Sequence, residues 1–389
     1  MMNNDKKLIY ILNHYSNTDA THFTHILYLL KVMADKGVKI VLVIEKLDGK
    51  LDLNHHNIET IGLKNRAPVV RHIELFGILI KLIRQGFKVS FIRIAASAAI
   101  VAALAHKICG GESYLWQSGT THEYDWSKPL SFIKIKWMIK SYFPNWLARH
   151  LVTWFVTGPE AMVNYYANIV GIPRRKIRLL YNDIQLERFD IKNYPLAKKD
   201  LFEKYTISPE TKILLLVHRL SPVRRTLLYL EPMLEAFSNK IKSNWILFVA
   251  GGGSELPAAQ ELVKKLDLMD HVIFLGNIPN QQITELYASA DVFVHPTYTE
   301  GFPRVLIEAM AAGLPIISTD AGGTKELMGD LQAYYVVSKD QPDVFTAKVL
   351  ELFNHPEQWQ ALSQENKAVV ERFSTPTVAD MYIKELFHD

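Results

Sequence analysis

The stretch DVFVHPTYTEGFPRVLIEAMAAGLPIIS, residues 291–318, reads as a strand, a loop, a helix and a second strand. Val292–His295 and Pro315–Ser318 are short apolar runs of the kind buried in a parallel sheet, and the residues between them carry a helical period. Working outward, Ile213–Val217, Ile246–Ala250 and Val272–Leu275 repeat the strand signal before it. The first half does the same at Leu8–Leu12, Val38–Ile44, Val89–Ile94, Tyr114–Gln117, Leu151–Thr157 and Ile177–Leu180. Phe23, Ile26, Leu27, Leu30, Met33 and Ala34 recur at helical spacing after the first of these, and Gly37 stops that helix. Strands alternating with helices predict an α/β chain of two doubly wound, Rossmann-like domains, with ligands at the carboxyl ends of the strands in a cleft between them.

Asp183–Thr211, charged and broken by Pro195 and Pro209, is the expected boundary. The predicted organisation is residues 1–185, a linker region over 186–211, a second domain over 212–372, and a terminal helix over 373–389. That helix opens at Thr375-Pro376 and has Val378, Met381, Tyr382 and Leu386 on its apolar face.

With 389 residues, 49% apolar and 22% charged, the chain can fill two cores. Lys and Arg total 44 against 40 acids, a net charge of +4 that argues against a dedicated nucleic-acid binder. The charge is uneven: residues 61–180 hold 17 Lys and Arg but five acids, an excess of 12. Such a half suits an anionic membrane surface or anionic acceptor, and equally a solvated basic face. Cys109 is the only cysteine, which fits a reducing, cytoplasmic compartment. Leu8–Leu12, behind Lys6 and Lys7, is too short for a signal-peptide core. Ile94–Ala105 is too short to cross a bilayer, so peripheral attachment at the inner face of the plasma membrane is the expected form of membrane contact.

Four loops after strands of the second half carry ligand chemistry. Thr299-Glu300-Gly301-Phe302-Pro303-Arg304 leads into a helix containing Glu308. Pro303 suits the first helical turn, which aims the N–H groups of Gly301 and Phe302 at phosphate or sugar oxygens. Glu308, about a turn further in, can accept from a ribose diol, and Glu300 from sugar hydroxyls. Taken alone, such a Glu is an ordinary dipole-complementing surface charge. His218-Arg219-Leu220-Ser221-Pro222-Val223-Arg224-Arg225 can neutralise a diphosphate through Arg219 with Arg224 or Arg225, or be a solvated basic loop. Gly251-Gly252-Gly253 permits close backbone approach, or is simply a turn, and Gly322-Gly323 is a second glycine turn opening a helix. Together the four point to one site.

These residues resemble the retaining GT-B glycosyltransferases, specifically glycosyltransferase family 4, the glycosyl transferases group 1. The family's E-x7-E pattern and following Ala-Met-Ala-x-Gly-x-Pro run stand here as Glu300 to Glu308 and Ala309 to Pro315, and Gly322-Gly323 with Glu326 follows. The resemblance is close from Ile213 to about Leu327, and Tyr181-Asn182-Asp183-Ile184 with Phe189 looks like the family's domain-junction motif. It implies that 1–185 binds acceptor, that 212–372 binds the donor, and that the last helix crosses back to the first domain. Glu308 would then bind the donor ribose, and Glu300 the transferred sugar. The backbone of Phe302, Pro303 and Arg304 would hold sugar hydroxyls and phosphate. Arg219 and Arg224 would hold the diphosphate, where the family has Glu-Lys-Gly and this chain has Val223-Arg224-Arg225. The base would be held largely by backbone near Asn277-Ile278, and Gly252 would be a further donor-binding residue. A UDP- or GDP-linked sugar is the expected co-substrate, with no catalytic metal and no further cofactor, since Arg side chains and a helix N-terminus stabilise the leaving diphosphate.

The first half departs from the family. The loop Asn13-His14-Tyr15-Ser16-Asn17-Thr18-Asp19 lacks the usual glycine pair, leaving side chains such as Asp19 to approach the donor. Ser118 takes the place of the usual reaction-centre His, and His122 lies four residues beyond. Between Trp126 and Trp154, aromatics interleave with Lys128, Lys134, Lys136, Lys140 and Arg149, which suits a membrane interface and a lipid-linked acceptor, or a helix packed into the core. The expected activity is transfer of a hexose-type sugar to a glycan or lipid-linked acceptor in surface-polysaccharide or glycoconjugate synthesis. The competing readings are a sugar-nucleotide epimerase or hydrolase of the same fold, for which no acid/base set is evident, and a non-catalytic sugar-nucleotide-binding protein.

Overall fold

A computed structural model describes residues 6–16, 24–51, 53–119, 132–241, 244–279 and 282–388. The chain divides into two compact units, one built mainly from the chain up to Asp183 together with Thr375 onward, the other mainly from Ile184–Ser374.

The first unit holds a seven-stranded sheet of β1 (Lys7–Ser16), β2 (Lys39–Asp48), β3 (Ile58–Gly62), β4 (Val89–Arg93), β5 (Glu112–Trp116), β6 (Trp154–Thr157) and β7 (Ile177–Leu179). Every pairing is parallel, in the order β3-β2-β1-β4-β5-β6-β7. The run Leu8-Ile9-Tyr10-Ile11-Leu12 is wholly buried because helices cover both faces of a parallel sheet. Ile9 and Ile11 pack with the helices Pro68–Arg84 and Ala96–Cys109, while Leu8, Tyr10 and Leu12 face the helix Thr24–Asp35 and the terminal helix Thr375–Phe387. Burying Val378, Tyr382 and Leu386 of that last helix contributes about 2 kcal/mol each. Its first residue is fixed by a polar contact, Thr375 Oγ1 donating to Asp183 Oδ2 at 2.8 Å. Beside it, the Arg93 guanidinium lies 3.9 Å from the centre of the Trp116 ring and donates to Asn182 Oδ1.

Two sequence expectations change here. The stretch read as an open first loop is sheet as far as Ser16, with His14, Tyr15 and Ser16 paired to Lys46, Leu47 and Asp48. Strand β3 went unseen because it is a short, half-buried edge strand ending at Gly62.

The second unit holds β8 (Lys212–Val217), β9 (Trp245–Ala250), β10 (Val272–Gly276), β11 (Val292–His295), β12 (Ile316–Thr319) and β13 (Val336–Val337). All are parallel, in the order β10-β9-β8-β11-β12-β13. Chain order reverses between β8 and β11, so the loops after these two strands flank the crevice where doubly wound sheets bind ligands. Residues 186–211, read as a linker region, carry two 3-10 turns and the helix Ala197–Tyr205, whose Leu201 is buried. No helix among the described residues is long and apolar enough to cross a membrane.

Candidate functional site

The loops after β8, β9, β11 and β12 leave the same edge of the second sheet, since all four strands are parallel neighbours. Glycines let their backbones touch. A Cβ on Gly251 would collide with the carbonyl oxygen of His218, and one on Gly253 with that of Leu220. Both glycines have φ near +140°, which side chains disfavour. Gly252 is engaged by the chain itself: its N–H donates to Asn277 Oδ1 at 2.9 Å and its carbonyl accepts from Leu220 N–H at 2.9 Å. Ile278 lines a pocket of about 410 Å³ with Leu201 and Tyr205 of the Ala197–Tyr205 helix and Leu286 of the Ile283–Ser289 helix.

At the switch point, Arg224 Nη1 donates to Glu300 Oε1, an ion pair between the β8 loop and the β11 loop. The two loops are also joined by Tyr298 N–H donating to the Arg224 carbonyl at 2.7 Å. Arg225 goes elsewhere, its guanidinium stacked 4.0 Å over the Tyr298 ring. Its φ is +49°, so it keeps the left-handed conformation that a glycine would adopt at that position. The structure thus separates the two arginines that the sequence left as alternatives. Arg219 is exposed on the same loop.

The helix after β11 is Arg304–Ala311, with Pro303 as its N-cap residue rather than its first helical residue; Gly301 and Phe302 are buried just before it. Phe302 is anchored edge-to-face on Phe373, ring centres 5.9 Å apart. Glu308 Oε2 accepts from the Tyr287 hydroxyl at 3.0 Å, and Arg304 Nη2 lies 3.8 Å from its Oε1. Burial and the adjacent carboxylate raise the Tyr287 pKa, so the hydroxyl remains a donor. Gly322, at φ +68°, lets the β12 loop approach Glu300.

Beneath Glu300 lie two buried histidines that sequence reading missed. His295, the last residue of β11, is 0% exposed, and its Nε2 stands 3.7 Å from Glu300 Oε1. His218, the first residue after β8, has its ring centre 5.4 Å from that of His295, and its Nε2 shares a 2.8 Å hydrogen bond with Thr226 Oγ1. Burial, then the charge of Arg224, lowers the His295 pKa to about 3, and burial holds His218 well below its ordinary value. The floor is therefore two neutral imidazoles, and Arg224 is the cation paired with Glu300. The available signal was position: each histidine ends a strand or directly follows one.

In the first unit, the Ser118 hydroxyl donates to the Gly158 carbonyl at 3.1 Å. Asp19 and His122 lie outside the described residues.

Residues 197–369 match the family model described as glycosyl transferases group 1. An N-acetyl-alpha-D-glucosaminyl L-malate synthase of Bacillus anthracis is 26% identical over 56% of this chain and 55% of its own. A GDP-mannose-dependent alpha-(1-6)-phosphatidylinositol monomannoside mannosyltransferase of Mycolicibacterium smegmatis is 32% identical over 30% of this chain and 32% of its own. The matched stretches span about half or less of these curated relatives. Among solved structures, Anabaena HepE in complex with UDP-glucose superposes with a TM-score of 0.74 at 15% identity, covering 98% of this chain and 99% of that one. At that identity the likeness is one of fold.

Proposed function

We propose that this chain, whose residues 197–369 match the glycosyl transferases group 1 model, transfers a hexose-type sugar from a nucleoside-diphosphate sugar to a glycan or lipid-linked acceptor. Its fold is GT-B, two Rossmann-like domains with parallel sheets. The observation that carries the reading is the Arg224–Glu300 ion pair at the β8/β11 switch point, followed along the chain by the helix whose Glu308 is held by Tyr287.

In this reading Glu308 accepts from the ribose diol and is kept aimed by Tyr287. Arg219 and Arg224 neutralise the diphosphate, which takes Arg224 from Glu300. The helix start at Pro303–Arg304 adds a favourable dipole, and Glu300 is released to the transferred sugar. Charge neutralisation by two arginines supports a metal-independent departure of the diphosphate. Retention at the anomeric carbon follows if acceptor and leaving group share one face, with a diphosphate oxygen taking the acceptor proton; neither Glu300 nor Glu308 is then asked to be a base.

The similarity to a GDP-mannose-dependent phosphatidylinositol monomannoside mannosyltransferase, and the fold shared with a UDP-glucose-bound protein, support a UDP- or GDP-linked donor and a place in glycoconjugate synthesis. A lipid surface is supported by the successive helices Phe132–Trp137, Met138–Tyr142 and Phe143–Leu151. Ile135, Ile139, Phe143 and Trp146 recur there at helical spacing and are 49%, 68%, 56% and 41% exposed, beside exposed Lys136 and Lys140. Ala148 and Arg149 point the other way, Ala148 into the core and Arg149 to Gln117. Peripheral attachment at a cytoplasmic membrane face fits such a stripe.

Donor consumption with and without added acceptor tests the activity. Acceptor-dependent release of nucleoside diphosphate is the expected result. Acceptor-free isomerisation would replace this reading with an epimerase, and binding without turnover with a sugar-nucleotide-binding protein.

A further inference from the structure

His295 presents an unusual balance. It is completely buried, and neither ring nitrogen has a hydrogen-bond partner among the described residues. The ring packs parallel to Phe293, centres 6.2 Å apart, and edge-on to His218. An apolar side chain would fill this space without leaving polar atoms unmet, so the imidazole has a destabilising effect here with no compensating bond. A state in which one nitrogen is engaged would explain it. The acceptor within reach is Glu300 Oε1, 3.7 Å from Nε2 and just outside hydrogen-bond range. In this structure that same oxygen takes the Arg224 hydrogen bond.

We propose that His295 is a positioning residue for Glu300: when Arg224 turns to the donor's diphosphate, Nε2–H of His295 donates to Glu300 and keeps the carboxylate aimed. The inference rests on the donor-site reading above. It deepens that reading by describing an exchange of partners, in which Arg224 passes from carboxylate to phosphate and Glu300 passes from Arg224 to His295. A carboxylate stripped of that cation in a partly dry site would otherwise turn toward the next donor, including the ligand's own hydroxyls in unproductive poses. A neutral donor suits the task. It holds the carboxylate without adding a second positive charge to compete for the phosphates, and the depressed pKa of His295 agrees with that. Among the described residues, His218 and Arg224 are the other titratable side chains facing His295, and His218 is tied to Thr226.

The test compares His295→Leu and His295→Phe, which remove the donor, with His295→Gln, whose amide can restore it. UDP-glucose and GDP-mannose serve as donors, with water and octyl glucoside as acceptors, and UDP and GDP binding is titrated in parallel. The expected result is a drop in kcat of tenfold or more for both apolar variants, donor KM and nucleoside-diphosphate affinity within about threefold of wild type, and substantial recovery of kcat with Gln. Two donor-less variants guard against one failing to fold. A wild-type kcat in either apolar variant, or Gln no better than Leu when both bind nucleotide, overturns the proposal. Imidazole ¹⁵N spectra give a readout independent of turnover: the His295 ring signal should shift on adding UDP or GDP, and should sit at the shifted position without ligand in Arg224→Ala. An unshifted His295 signal in both would also overturn it. Glu300→Gln is run as the control for the underlying reading. If it retains full activity, the donor-site assignment falls; if it loses activity while His295→Leu does not, only the positioning role falls.

Discussion

Gly322 and Glu300 are in contact through backbone. A Cβ at position 322 would lie 2.9 Å from the Glu300 carbonyl carbon and closer still to its oxygen, and φ at Gly322 is +68°. The carboxylate loop is thus held by a neighbour that tolerates no side chain. Gly322→Ala should lower unfolding free energy by roughly 1–3 kcal/mol, read from urea midpoints. It should also cut turnover more than donor binding, because the displaced backbone is that of Glu300 and not of Glu308. An alanine variant with unchanged stability and turnover would show that the loops have room to separate.

The two neighbouring arginines should part company on mutation. Arg224 reaches Glu300, whereas Arg225 is committed to the Tyr298 ring. Arg224→Ala is expected to weaken UDP or GDP binding by roughly 10- to 100-fold, the loss of a charge-assisted contact. Arg225→Ala should cost less than about fivefold by the same scale. Calorimetric titration decides it, and equal losses would mean that the loop rearranges on binding.

Acid should destabilise the second unit through its buried histidines. His295 has its pKa lowered to about 3, and that of His218 is held well below the ordinary value. Below about pH 6.5 the unfolded chain takes up protons that the folded one refuses, so stability is full above that pH and is lost as pH falls toward about 3. Each histidine can contribute up to about 1.4 kcal/mol per pH unit in that window. Urea midpoints should fall with pH in wild type and fall less steeply in a His218→Phe, His295→Phe double variant. Parallel slopes would show that carboxylates alone set the acid sensitivity.

The exposed stripe of Ile135, Ile139, Phe143 and Trp146, with Lys136 and Lys140, should bind anionic vesicles in preference to neutral ones and release them in salt. Ile139→Glu with Phe143→Glu should abolish co-sedimentation and leave UDP or GDP binding in the second unit intact. Equal recovery of wild type with neutral and anionic vesicles would remove the lipid surface from the account.

Much of this was legible in the sequence, for identifiable reasons. Buried parallel strands such as Leu8–Leu12 announce themselves as apolar runs, the loops holding Arg224 and Glu300 follow such runs directly, and the helix holding Glu308 comes next. Strand β13 escaped because it is only Val336–Val337. The glycine loop could be flagged but not explained, since what Gly251 and Gly253 meet is backbone contributed by a different strand's loop. The pair His218 and His295 was invisible for a deeper reason: the two meet only because β8 and β11 are neighbours, although β9 and β10 lie between them in the chain. The fate of Arg225 likewise needed coordinates, since nothing in Val223-Arg224-Arg225 says which arginine takes the left-handed turn.

The proposed nucleoside-diphosphate site lies at the β8/β11 switch point, with Glu308 on the ribose. It is tested most directly by titrating UDP and GDP into wild type and Glu308→Ala. At least one nucleotide should bind wild type, and Glu308→Ala should weaken it by roughly 10- to 100-fold, as expected when a carboxylate's hydrogen bonds are lost. Equal affinity in the two proteins would contradict it.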